Sequence, residues 1–200
     1  MFSVHGQSGS IHLMHGSIQP LHWVVVIACC VAAAVTDLRS RRIPNVLTGP
    51  MFLAGLAWSL ATGGFSGLGD GLLAAIVLAL PYVVLFLIAG GGAADAKLMA
   101  AVGAWVGFHE GIIVLLCVCI CGAILGLGYA VIKGQARGVV ANLILMVLAM
   151  ITLLAGRRSL KEVGAQFPDA KTMLSIPYGL AILTGVCVAA AGMFLANTWM

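Results

Sequence analysis

TGGFSGLGD, residues 62–70, joins two apolar runs at 46–62 and 71–89 and contains no lysine or arginine. The loop before the first run, TDLRSRRIPN at 36–45, contains Arg39, Arg41 and Arg42. Crossing about 30 Å of hydrocarbon takes roughly 20 apolar residues, so each run is close to the length of one crossing. Lysine and arginine in short loops stay on the cytoplasmic face. The pattern therefore predicts a hairpin that leaves the cytoplasmic face at 46, turns outside at 62–70 and returns with GGGAADAK at 90–97. Two crossings put Asp37 and Asp95 on one membrane face and Asp70 on the other.

The rest of the chain supports this setting. Of its 200 residues 62% are hydrophobic and 8% charged, with a mean hydropathy of +1.14, whereas a soluble domain carries about a quarter charged residues. Ten basic and six acidic side chains cannot coat a soluble domain of this size, and lipid requires no such coat. The expected fold is all-α, a polytopic membrane helix bundle. Spans are expected at 18–36, 46–62, 71–89, 111–132, 139–155 and 176–198, with a short helix at 96–108, about six to seven transmembrane helices in all. That short helix would cover only part of the bilayer at about 1.5 Å per residue.

One integral membrane domain at 18–200 follows a non-cytoplasmic tail at 1–17. Residues 1–36 lack the basic start of a signal peptide, so the first apolar segment is expected to stay as a membrane helix. KGQAR at 133–137 and RRSLKE at 157–162 are both basic and flank 139–155. That segment either crosses in conflict with the charge rule or is re-entrant or interfacial; a full crossing is the preferred reading.

Several function classes recede. The net charge of +4 comes from short basic clusters and not from a stripe that tracks phosphates, so no nucleic-acid partner is expected. The six cysteines lie in apolar segments without a CxxC pair, which points to packing and not to zinc or disulfides. Cys117 and Cys121 share a helix face, but two thiols make a poor metal site. His5, His12, His15 and His22 fall in or beside a tail with no fixed geometry for a metal. His109 and Glu110 mark an outer turn between the short helix and the next span. Gly103/Gly107 and Gly122/Gly126 have GxxxG spacing, read as packing within the chain, with homo-oligomerisation left open.

Asp37 and Asp95 carry the chemistry. A carboxylate at the end of a membrane helix is costly to desolvate and is usually paired, hydrated or functional. Two carboxyls within hydrogen-bond distance cannot both ionise; the pair shares a proton, as in aspartic proteases, where the two carboxyls flank a water. Pro44 disfavours helix at Ile43 and helps start the next segment at IPNVLT. The glycines before Asp95 permit a bend ahead of a helix beginning near Lys97. Taken singly, Asp37 can serve as a partner for nearby arginines and Asp95 as a helix N-cap. Their shared sidedness and the glycine run favour the catalytic reading.

At these residues the sequence resembles the prepilin peptidases, membrane aspartic proteases of the GxGD type, and especially their short branch serving tight-adherence (Flp) pili. TDLRSRRIPN at 36–45, GGGAADAKLMAAVGAWVG at 90–107 and IPYGLAI at 176–182 carry the likeness; the first two are specific in combination, the third weak alone. The resemblance implies a catalytic pair, Asp37 and Asp95, shaped by Pro44, Asn45, Gly92, Ala93, Ala94 and Lys97. It implies removal of a short positive leader from type IV or Flp-like prepilins at the cytoplasmic face of a bacterial inner membrane. Prepilin and the lipid bilayer are the implied partners, with no metal and no organic cofactor.

GLGD at 67–70 matches the motif literally yet lies across the membrane from Asp37, so GAAD at 92–95 takes its place with Ala94 at the third position. Alanine there costs on the order of 1 kcal/mol if the backbone needs positive φ and nothing if it needs only a small side chain. Larger relatives add a cytoplasmic domain with paired CxxC motifs and methylate the new pilin N-terminus. CxxC is absent from this sequence, and peptidase without methyltransferase activity is the expectation. The rival readings are a small proton or cation transporter and a noncatalytic pilus or secretion assembly subunit.

Overall fold

Pro44 lacks an N–H, and its carbonyl accepts the Leu47 and Thr48 amides at 3.0 and 3.4 Å, so a helix starts directly behind it. Such starts and stops divide the computed structural model, which describes residues 8–40, 43–89, 92–132, 144, 148 and 178–198. Four helices carry most of these residues: α1 Ser8–Ser40, α2 Asn45–Ala89, α3 Ala93–Ile132 and α4 Tyr178–Thr198. No strand occurs among the described residues. Each helix contains a stretch long and apolar enough to cross a membrane, the all-helical class that hydrocarbon imposes on a backbone that must satisfy its own polar groups.

A straight helix of the length of α2 would be about 65 Å long, twice the hydrocarbon thickness. α2 breaks at Gly64, where φ is 61° and ψ is −150°, a backbone state that glycine adopts at little steric cost. Behind the break Gly67 presses on the Ser59 carbonyl and Gly71 on the Ser59 side chain, so the two arms run back along each other. α3 breaks in the same way at Gly107, where φ is 75°. On either side of it, Gly103 packs against the Ala74 backbone and Gly111 against Leu78, one turn apart on the same arm of α2.

The centre of the bundle holds Val26 and Cys30 of α1, Leu78 of α2, Leu98, Met99 and Val102 of α3, and Ile182 and Val186 of α4, all fully buried. Large apolar side chains such as Leu53, Ile76, Leu87 and Ile124 point outward, where they meet lipid. Association among such helices relies on close packing. Gly55 against Trp105, Gly103 against Ala74 and Gly185 against Val118 provide it.

The sequence boundaries need adjustment. α1 begins at Ser8, within the stretch 1–17 expected as a tail, and runs on through Pro20. The short arm of α3 starts at Ala93 and not near Lys97, because the positive φ that turns the chain belongs to Gly92. Gly107 is the kink of α3 and lies against Asp70, and Gly122 faces Ala181 at van der Waals distance, so these GxxxG glycines serve contacts within the chain. The expected span at 139–155 and the loop at 156–175 lie outside the described residues, apart from isolated positions 144 and 148.

Candidate active site at one end of the bundle

Three helix ends converge at one end of the bundle. Asp37 lies in the last turn of α1, half-buried. Its Oδ2 accepts the backbone N–H of Gly179, the second residue of α4, at 3.0 Å across 142 positions of sequence. Asp95 lies in the first turn of α3 with 9% of its surface exposed. An acidic side chain in that turn faces the positive end of the helix dipole. The two carboxyls are close enough to interact as charges, and the phenols of Tyr82 and Tyr178 belong to the same electrostatic neighbourhood around Asp95.

The remaining sequence candidates lie at the starts of α2 and α3. Lys97 donates from Nζ to Asn45 Oδ1 at 3.0 Å, tying the start of α3 to the start of α2. Gly92, with φ of 97°, accepts the Ala96 amide at 2.9 Å and opens α3. Ala93 and Ala94 follow with helical backbone, and Ala94 packs against the core. The third position of GAAD therefore has helical backbone and no positive φ, and alanine fits it without strain. Asp95 is not the N-cap considered from sequence, because α3 begins two residues earlier.

Asp70 belongs to the other end. Its Oδ2 accepts the Phe108 N–H at 3.0 Å, just past the Gly107 break, and so caps the second arm of α3. Beside it a cavity of about 300 Å³ is lined by His22, Trp58, Trp105 and Glu110 among others. His22 Nε2 lies 3.7 Å from Glu110 Oε2, and the rings of Trp58 and Trp105 stack at 5.9 Å. The end with Asp37 and Asp95 thus contains two carboxyls near enough to act on each other as charges.

The type IV leader peptidase family model matches residues 24–127, which contain Asp37, Asp95 and the helix ends that hold them. The chain belongs to the type IV leader peptidase family. The protein named "Prepilin leader peptidase/N-methyltransferase" from Aeromonas hydrophila is 34% identical over 148 residues, covering 68% of this chain and 48% of that relative. A protein of the same name from Aeromonas salmonicida (strain A449) matches with the same identity and coverage. This type IV leader peptidase family member thus spans about half the length of the curated relatives it matches. No solved structure matches it.

Sequence reasoning assigned no role to Gly179, Tyr178 or Tyr82, although IPYGLAI was part of the resemblance. The available signal was a glycine directly behind Pro177 and Tyr178 at a helix start, in a segment whose distance from Asp37 along the chain conceals their contact.

Proposed function

We propose that the chain is an aspartic endopeptidase that removes the leader from type IV or Flp-like prepilins, with Asp37 and Asp95 as the catalytic pair. One carboxylate takes a proton from a bound water, and the resulting hydroxide attacks the scissile carbonyl carbon. The other carboxyl, protonated, gives its proton to the carbonyl oxygen. Collapse of the tetrahedral intermediate breaks the C–N bond as a proton passes to the leaving amine. No metal or organic cofactor takes part, and methylation of the product is not part of the reaction.

The observation that supports this reading is that α1 and α3 hold Asp37 and Asp95 near enough to act on each other as charges, inside the family-matched region. The apolar helix of the prepilin enters from lipid and sets its leader junction beside the pair. In this reading the pair faces the cytoplasm of a bacterial inner membrane, consistent with Arg39, Arg41 and Arg42 next to Asp37.

The test is co-expression with a prepilin and a gel assay of leader removal. Asp37→Asn and Asp95→Asn should each slow cleavage by about 10²–10⁴-fold, the usual loss for a general acid or base. Asp70→Asn should process normally. Undiminished cleavage by either of the first two variants rules out the pair, and no cleavage by the native chain favours an assembly subunit.

A further inference from the structure

We infer that Gly179 is a positioning residue of the proposed site: its backbone N–H orients the Asp37 carboxylate, and its missing side chain makes the room that Asp37 occupies. The inference rests on the proposed Asp37–Asp95 pair and adds a third segment to it, in α4 and beyond the family-matched residues 24–127.

Two separate observations meet at this glycine. The first is the hydrogen bond of 3.0 Å from Gly179 N–H to Asp37 Oδ2. The amides of a first helical turn have no partner within the helix, and here Asp37 accepts one of them. The second is steric. A Cβ on Gly179 would lie 3.0 Å from both Cβ and Oδ2 of Asp37 and 3.3 Å from the Ala34 Cα. All three contacts are tight, so around an added methyl α1 and α4 have to give by a few tenths of an ångström and the Asp37 carboxylate is pushed from its place.

The chemical consequence follows from geometry. The amide hydrogen bond to Oδ2 sets which lone pair of the carboxylate points at water. Rotating the carboxylate moves that lone pair off the line to the water proton, and misplacement by about 1 Å can cost on the order of 100-fold in rate. The rotation acts on the reacting carboxyl, so the loss is expected in turnover more than in binding.

Two other glycines of α4 provide comparators. Gly192 has nothing within 4 Å of an added Cβ, whereas a Cβ on Gly185 would collide with the Val118 backbone. Gly192→Ala reports the effect of an alanine as such, and Gly185→Ala reports loosened helix packing without contact to Asp37.

The experiment uses the full chain in lipid nanodiscs with a purified prepilin, together with thermal unfolding and mass-spectrometric detection of carboxyl labelling by an apolar carbodiimide. Gly179→Ala should lower kcat by about 10- to 100-fold, leave KM within about twofold and unfold near the native temperature. Gly192→Ala should match the native chain, and Gly185→Ala should lower the unfolding temperature. Gly179→Ala should also change the labelling rate of Asp37 several-fold while leaving that of Asp70 as in the native chain.

A Gly179→Ala chain with native kcat and native Asp37 labelling overturns the inference. So does one whose kcat falls only in proportion to its unfolding temperature, as in Gly185→Ala. Absence of cleavage by the native chain sinks the peptidase reading instead, and the labelling comparison still decides whether Gly179 orients Asp37.

Discussion

The Asp70 carboxylate accepts the Phe108 N–H at 3.0 Å, although 38 positions separate them in sequence. The contact joins the turn of α2 to the break of α3 and gives Asp70 a structural task remote from Asp37. A capping carboxylate of this kind contributes about 0.5–2 kcal/mol. Asp70→Ala should therefore lower stability by about 1 kcal/mol in a thermal or denaturant assay while prepilin cleavage by the folded fraction continues at the native rate. A cleavage defect as deep as that of Asp37→Asn would contradict this assignment.

Gly107 should be coupled to the same aspartate. Its φ of 75° disfavours any side chain, and an added Cβ would collide with Asp70 Oδ2. Gly107→Ala is expected to cost about 1–2 kcal/mol from the backbone alone, with the collision adding to it. Combining it with Asp70→Ala removes the colliding atoms, so the double variant should be more stable than the sum of the single losses implies. Strict additivity in a double-mutant cycle would show that the two residues do not touch.

Lys97 and Asn45 form another testable pair, joined at 3.0 Å and exposed. Lys97→Met and Asn45→Ala each remove the same hydrogen bond. Their combined effect on unfolding should fall short of the sum by about 0.5–1 kcal/mol, modest because water competes for both groups. A coupling indistinguishable from zero would mean that this contact does not tie α2 to α3.

Ala94 addresses the one departure from the GxGD pattern. Because its backbone is helical, Ala94→Gly should bring no gain in prepilin cleavage and should cost up to about 1 kcal/mol, the helix penalty of glycine. A several-fold rise in turnover would show that the site needs a conformation only glycine provides.

Packing between α2 and α3 can be tested at Gly103, where an added Cβ would come within 2.8 Å of the Ala74 backbone. Gly103→Ala should cost about 1–3 kcal/mol as an overpacked contact. Gly128→Ala, with nothing within 4 Å, should be neutral or slightly stabilising by helix propensity. Equal unfolding temperatures for the two variants would refute the close approach.

The sequence by itself determined the membrane-helical class, and it placed Asp37 and Asp95 at one end with Asp70 at the other. Run lengths and loop charges carry that information locally: TGGFSGLGD has to turn because two crossing-length runs flank it, and Gly64 is where it does so. It also supplied Pro44, Asn45 and Lys97, whose positions follow from adjacent helix starts. Only the tertiary structure decided that Gly179 reaches Asp37, that Asp70 caps the second arm of α3, and that the left-handed residue before Asp95 is Gly92 and not the third position of GAAD. The physical reason lies in the solvent. Helices that meet lipid on one side and each other on the other are apolar all round, so no hydrophobic stripe marks the packed face. Their neighbours are selected by close fits of glycine against backbone, and those fits exist only once the bundle has formed.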